Sequence, residues 1–430
     1  MTRTVFQGAM LIDGTNEVVR DASAVVSGRH IDDVVVGSAV AIEPADRVID
    51  LHGKTLMPGM VICHFHAQFH DVGEGGRHGF YTGSERPVGV QMINALNAAQ
   101  TALRSGFTGI VSAGCSDALD AQLKMAIAEG LCEGPRILPA SHMLEPTGYE
   151  GETVPWWREV GNTGTYLFVD GPDEYRKAVR MEIRRGAEII KVQPSGGHGY
   201  PTGGGQATFG GVTTDLPHSR LVKMDRSELE AVVGAAHMKG KKVRAHVAWP
   251  EMILECVELG VDVIDHGDEI DEECIEAMAA KGTFWTPSVV YLRRLMDNDR
   301  APDEHRASVQ ADYEHVLKMV PIADEAGVKI VIGDDWGIPG VMPHALGCYV
   351  EELELYVRDA GVAPTDALRW ATRNGAELLG VPGLGSVEKG GIADLLVVEG
   401  DLSADLAPLR DPGQNLRMIM KDGELVKDEL

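Results

Sequence analysis

Positive charge is scarce in this chain. Its 430 residues carry 39 lysines and arginines against 65 aspartates and glutamates, a formal net charge of −26. Such a surface repels phosphate backbones and anionic lipid, so neither nucleic acid nor a membrane is an expected partner. Cysteine is sparse too: six residues, Cys63, Cys115, Cys132, Cys256, Cys274 and Cys348, with no CxxC pair and no dense framework. That pattern argues against a disulfide scaffold, fits a reducing cytosol and makes each thiol small apolar filler. No apolar run reaches membrane-spanning length, and residues 1–8 hold none long enough for a signal peptide. The chain ends in Lys427-Asp428-Glu429-Leu430, a retention address that means nothing without a targeting signal, so the expected location is cytoplasmic.

What is present is enough apolar surface for a sizeable core, at 44% hydrophobic residues. The first 55 or so residues read as short strands punctuated by Asp13-Gly14 and Ser27-Gly28, with no helical period. From residue 56 onward, short β-branched runs alternate with longer amphipathic ones. Eight strands are predicted, at 56–66, 109–113, 136–142, 188–193, 242–247, 263–266, 283–289 and 328–333. Helical patterns lie between them, such as 88–105, 173–185 and 227–239, the last opening on Asp225 and Glu228 spaced as a capping box. Eight strand-plus-helix units in series argue for a closed parallel (β/α)8 TIM barrel over an open sheet. Two helices are expected at 348–359 and 364–379, after which strand texture returns at 395–398 and 416–426. Neither terminal fragment alone could bury a core. The expected α/β architecture is therefore a barrel over residues 56–385 and a small composite β-sandwich from 1–55 plus 386–430.

The strand at 56–66 ends in His64-Phe65-His66. Period-2 geometry puts both imidazoles on one face, which suits a shared Zn²⁺, although a chance pair reads the same way in isolation. Lys191 sits in an apolar run of Ile189, Ile190 and Val192, where a buried ammonium is costly and needs a reason. The fifth predicted strand ends in Arg244-Ala245-His246, the sixth in Asp265-His266-Gly267, and the eighth in Gly333-Asp334-Asp335. Metal-type side chains thus occupy the C-terminal ends of strands one, four, five, six and eight, and in a (β/α)8 barrel those ends surround one site.

That ordered pattern resembles the amidohydrolase superfamily. The Pro58-Gly59 before His64, the Ile190-Lys191-Val192 run and the tail Gly391-Ile392-Ala393-Asp394-Leu395 are similar to the branch of imidazolonepropionase-like enzymes and metal-dependent dipeptidases. The resemblance covers essentially the whole chain. It implies two divalent ions, usually zinc. His64, His66 and Asp335 would hold the more buried ion and His246 and His266 the other, with Lys191 bridging both as a CO₂-derived carbamate. It further implies a hydrolase cleaving an amide-type C–N bond by attack of a metal-bridging hydroxide, with Asp335 as general base and then acid. Homo-oligomers are frequent among such enzymes. The family's Gly-Thr-Asp on strand eight is replaced by Gly333-Asp334-Asp335, leaving Asp334 a competitor of Asp335. The dipeptidases' Thr-Gly-Gly-His is replaced by Thr147-Gly148-Tyr149-Glu150, which puts a dipeptide substrate in doubt.

Around the expected mouth, Trp156, Trp157, Trp249, Trp285 and Trp336 fall near strand ends, with His142, Tyr149, His198 and Tyr200 beside them. Singly each reads as ordinary packing; together they suggest an apolar or aromatic small-molecule substrate. His142, Tyr149, His198, Tyr200, Trp249 and Trp336 are the candidate substrate contacts. The glycine-rich stretch 195–211 reads as a lid, and no basic clamp is evident beyond Arg293 and Arg294. The substrate classes are an N-acyl amino acid, aryl amide, carbamate or phenylurea. The alternatives are an Xaa-Pro or Xaa-hydrophobic dipeptidase or carboxypeptidase, an imidazolone-type cyclic amide hydrolase, and a non-catalytic binding scaffold. Scaffolds of this kind lose ligands, whereas this chain presents the full set.

Overall fold

The computed structural model describes residues 3–36, 40–69, 87–147, 164–196, 205–209, 212–216, 222–297, 303–333, 335 and 344–430. The chain opens with β1 (Arg3–Ile12), β2 (Val18–Ser27) and β3 (His30–Val36), an antiparallel meander. The turn between the first two needs glycine: Gly14 has φ +92°, and a Cβ there would fall 2.1 Å from Gly385 O. Two shorter strands, β4 (Arg47–Asp50) and β5 (Lys54–Pro58), run parallel to β1.

The single strand expected at 56–66 is two strands. Pro58 closes β5, and β6 (Met60–Phe65) starts a new parallel series. Gly59 is the joint: its N–H donates to Asp394 O at 2.9 Å, and a Cβ would lie 2.2 Å from Thr108 Oγ1. The crossing from one sheet to the next is thus fixed by a residue without a side chain.

Parallel strands and helices then alternate. Helix α1 (Val88–Arg104) leads to β7 (Phe107–Ser112), and α2 (Leu119–Ala128) to β8 (Arg136–Leu138). Beyond Pro139 come β9 (Ala140–Glu145), β10 (Tyr166–Phe168), α3 (Gly171–Arg185) and β11 (Ile189–Val192). Proline offers no N–H to a ladder, so the predicted strand at 136–142 breaks there, while Pro139 O accepts Glu188 N at 2.8 Å. The glycine-rich stretch read as a lid contains β12 (Gly205–Phe209), which forms a hairpin with β13 (Val212–Leu216) just beyond it. Between the two strands the sequence reads Gly210-Gly211, a two-residue hairpin signal that the glycine count obscured.

Next come α4 (Arg226–His237), β14 (Lys242–Val247), α5 (Pro250–Leu259), β15 (Val263–His266), α6 (Glu272–Lys281) and β16 (Phe284–Thr286). The series ends with α7 (Val289–Met296), α8 (Asp303–Glu325) and β17 (Lys329–Ile330). The capping box holds: Asp225 accepts from Glu228 N at 3.0 Å and Glu228 from Asp225 N at 2.9 Å. The strands pair in parallel in the orders β6-β7-β8 and β10-β9-β11-β14-β15-β16-β17. Cys63 N also donates to Ile332 O at 2.7 Å, joining the first of these strands to the segment that follows the last. Buried on both faces, the strands read as near-continuous apolar runs, and every residue of β6, β11 and β15 is buried.

After β17, α9 (Val350–Asp359) and α10 (Pro364–Arg369) follow. The single helix expected over 364–379 is interrupted by a wider turn at Trp370–Asn374 before α11 (Gly375–Leu379). There Thr372 Oγ1 bonds back to Leu368 O and Asn374 Nδ2 reaches Ile330 O, both at 2.7 Å. Strands β18 (Leu395–Glu399), β19 (Leu416–Lys421) and β20 (Glu424–Asp428) then return to the beginning of the chain. Antiparallel pairing of β18 with β5 makes one eight-stranded sheet from both termini. Its own apolar cluster includes Phe6, Leu56, Leu395 and Met418.

Candidate metal centre

The chemistry-bearing side chains meet at the C-terminal ends of the parallel strands. His64 and His66 leave the end of β6, Lys191 lies in β11, His246 near the end of β14, His266 closes β15, and Asp335 follows β17. His64, His66, Lys191 and His266 are buried, and the Asp335 side chain is 17% exposed. Asp335 Oδ1 lies 3.0 Å from His66 Nε2 and 3.3 Å from His64 Nε2. One ligand atom from each of the three lies within 4.8 Å of the others. The His266 ring is 5.1 Å from that of His64 and 4.5 Å from that of His246, centroid to centroid. Two imidazole nitrogens and a carboxylate oxygen converging in a buried pocket are donors that Zn²⁺ and related divalent ions accept.

Backbone strain accompanies the cluster. His266 and Asp335 have φ of +68° and +55°, the left-handed region that residues with a Cβ seldom occupy. In a regular strand His266 would face opposite to its neighbour Asp265, yet both reach His64. Conformations of this kind cost free energy and gather at functional sites.

The two strand-one histidines are oriented from behind. His66 Nδ1 lies 3.0 Å from Gly114 O, a carbonyl that also accepts from Gln68 Nε2 at 3.0 Å. His64 Nδ1 lies 3.4 Å from Asp265 Oδ1, an ionic contact that falls short of hydrogen-bond geometry. With a carbonyl bonded behind His66 Nδ1 and a carboxylate charge near His64 Nδ1, each ring presents Nε2 to Asp335. Burial alone would push Asp335 up, but His64 and His66 beside it hold its carboxyl well below the usual range. Burial lowers His66, an effect that Asp335 opposes.

Lys191 has a partner that sequence reasoning missed. Its Nζ donates to Asp265 Oδ2 at 2.5 Å, and burial lowers its pKa against the pull of that carboxylate. Arg244 grips the same carboxylate through Nε and Nη2 at 3.0 and 2.5 Å. Against the burial that opposes it, Arg244 and then Lys191 hold Asp265 well below the usual range. Two signals were available: Arg244 stands two residues before His246 on one strand face, and Asp265 directly precedes His266 in an apolar strand. Another buried pair, Lys223 with Glu145 at 2.6 Å, also escaped sequence reasoning.

Several other expected residues are held by groups of the protein itself. The His142 ring is held by Glu182 of α3 at 2.8 Å and takes the Asp117 amide at 3.3 Å on its Nε2. Trp249 is half-buried before α5 and packs against the main core. Trp285 donates to His266 O at 2.7 Å, so it braces the end of β15. Arg293 and Arg294 pair with Asp297 and Glu351, a half-exposed arrangement. Tyr149, Trp156, Trp157, His198, Tyr200, Asp334 and Trp336 lie outside the described residues.

A family model described as the amidohydrolase family matches residues 55–426. The chain is 27% identical to an ochratoxinase of Aspergillus niger, an alignment covering 99% of this chain and 86% of that protein. Among solved structures, a prolidase complexed with N-methylphosphonate-L-proline superposes with a TM-score of 0.82 at 28% identity, covering 99% and 100% of the two chains. A Xaa-Pro dipeptidase with methionine in its active site gives 0.79 at 26%, again covering 99% and 100%. The ligand-type side chains, their order along the strands and the match over most of the sequence agree: this chain belongs to the amidohydrolase family.

Proposed function

We propose that this hydrolase of carbon–nitrogen bonds binds two divalent ions, most suitably zinc, at the mouth of a closed (β/α)8 barrel, with the composite terminal sheet folded as a sandwich beside it. The observation that carries the reading is the convergence of His64, His66 and Asp335 in one buried group. His64, His66 and Asp335 would hold one ion, His246 and His266 the other, and Lys191, as a carbamate, both. Carboxylation answers the cost of a lysine in the apolar strand β11, because it exchanges a buried cation for an anionic oxygen ligand. When bound, such ions lower the pKa of water and polarise a carbonyl. Asp335, within hydrogen-bond reach of both histidines and still partly exposed, is placed to take a proton from the attacking water and return it to the departing nitrogen.

The substrate reading is a small, partly aromatic amide, with an N-acyl amino acid first. Sequence likeness to an ochratoxinase and the tryptophans predicted around the mouth support it. A second reading, an Xaa-Pro or Xaa-hydrophobic dipeptidase, is favoured by likeness to the prolidase and the Xaa-Pro dipeptidase. No helix among the described residues is long and apolar enough to cross a membrane. We further propose a cytoplasmic homo-oligomer.

The test is a turnover panel with zinc-loaded protein: N-acyl phenylalanine and tyrosine, aryl amides, phenylureas and Xaa-Pro dipeptides. Highest kcat/KM on N-acyl aromatic amino acids supports the first reading, and highest on Xaa-Pro supports the second. Hydrolysis of esters alone, with no amide cleaved, contradicts both.

A further inference from the structure

Arg244 and Asp265 form a charged pair to which the ligand assignments give no role. The guanidinium does more than neutralise the carboxylate. Its Nη1 donates to Cys63 O and Ser112 O, each at 2.9 Å, so it ties the backbones of β6 and β7 to the side chain of β15. Both residues are fully buried. A buried ion pair recovers little net stability once desolvation is counted, so stability alone does not explain it. Asp265 spends its remaining capacity on the metal site: Oδ2 takes Lys191 Nζ at 2.5 Å, and Oδ1 stands 3.4 Å from His64 Nδ1.

We infer that Asp265, clamped by Arg244, is a positioning residue that aims His64 and Lys191 together into the metal centre. The inference rests on the binuclear reading above. For His64, the Asp265 carboxylate stands 3.4 Å behind Nδ1, short of a hydrogen bond, and its charge favours the tautomer with hydrogen on Nδ1 that leaves Nε2 facing Asp335. For Lys191, the contact suits both states of the nitrogen. An ammonium donates through one of three N–H bonds. When the neutral amine adds CO₂, an N–C bond forms, one proton leaves to solvent and the carbamate nitrogen keeps one N–H, which Asp265 still accepts. That change places an anion beside a carboxylate, and Arg244 supplies the opposing charge. A neutral residue at 244 would leave two buried anions facing each other, a costly arrangement.

The test measures zinc affinity by chelator competition and carbamate formation by NMR with carbon-13 bicarbonate. Both are done well below the melting temperature on wild type, Asp265→Asn and Arg244→Lys. Glu352→Gln, a buried carboxylate change away from the ligands, is the control for lost stability. The expected result is a roughly ten- to hundredfold weaker zinc affinity and a diminished carbamate signal in Asp265→Asn. Arg244→Lys, which keeps the charge but loses the fork, should fall between, and Glu352→Gln should match wild type in both. Folded Asp265→Asn with wild-type affinity and carbamate signal overturns the inference, as does an equal loss in Glu352→Gln. Should Asp265→Asn fail to fold, Arg244→Lys decides alone by the same two readouts. Absence of zinc binding by wild type would instead sink the metal reading beneath it.

Discussion

Lys191 Nζ lies 2.5 Å from Asp265 Oδ2, and both side chains are closed off from solvent. The lysine sits between Ile190 and Val192 in a strand buried along its whole length, where an ammonium alone would be expelled or neutralised. Its partner is in turn gripped by Arg244, so the charges of these three residues are accounted for by named contacts. Charged groups buried this deeply between parallel strands gain little net stability from pairing, and here they lie beside the histidines and Asp335 of the candidate metal centre.

Gly333→Ala should damage the site by overpacking. A Cβ at 333 would lie 2.4 Å from His64 Cβ and 2.5 Å from Thr286 Cγ2, so strand eight approaches strand one only because this residue has no side chain. The expected loss is about 1–3 kcal/mol in urea unfolding, with weaker zinc binding because His64 is displaced. A variant that melts with wild type and binds zinc equally well would contradict this packing.

Glu352 predicts a pH dependence. Burial pushes its carboxyl up from 4.5 to about 7, against the pull of Tyr356 and the Val289 and Val290 amides. Between those values the folded protein holds a proton that the unfolded chain has released. This contribution therefore favours folding below about 4.5 and is lost as pH rises through 7, by on the order of 3 kcal/mol. Wild type should lose stability relative to Glu352→Gln between about pH 5 and pH 8, read from urea midpoints. A constant or widening advantage of wild type would refute the assignment.

Asp225→Ala should cost about 1 kcal/mol by removing the cap of α4, while leaving zinc affinity unchanged. Paired with Gly333→Ala, it separates damage to the scaffold from damage to the site. Zinc binding altered as strongly in Asp225→Ala would mean that the two are not separable.

Much of this organisation was legible before any coordinates. Strands 242–247 and 263–266 have the predicted bounds, because apolar β-branched runs bounded by glycine or charge leave little choice. His64, His66 and Asp335 were found by pattern, and the geometry puts them within reach of one ion. What escaped depends on distance in space. A shared β-domain of both termini is expected from the sequence, but not that β18 pairs with β5 in particular or that Arg136 meets Asp394, residues far apart in sequence. Gly59 ends a strand because Thr108 fills the space where a side chain would go, which no local pattern announces. Arg244 and Asp265 each look like a stray charge until the parallel pairing of β14 with β15 brings them together. The contact of His142 with Glu182 on a neighbouring helix likewise spans 40 residues of sequence.

The central claim, a binuclear centre bridged by Lys191, is tested most directly by counting metal. Zinc per chain should be measured by elemental analysis on wild type and Lys191→Ala, both purified with zinc and bicarbonate. Near two ions in wild type and a clear fall in the variant are predicted. About one ion in both proteins would contradict the bridge and leave a mononuclear site built on His64, His66 and Asp335. No metal in wild type after reconstitution would contradict the metal centre itself.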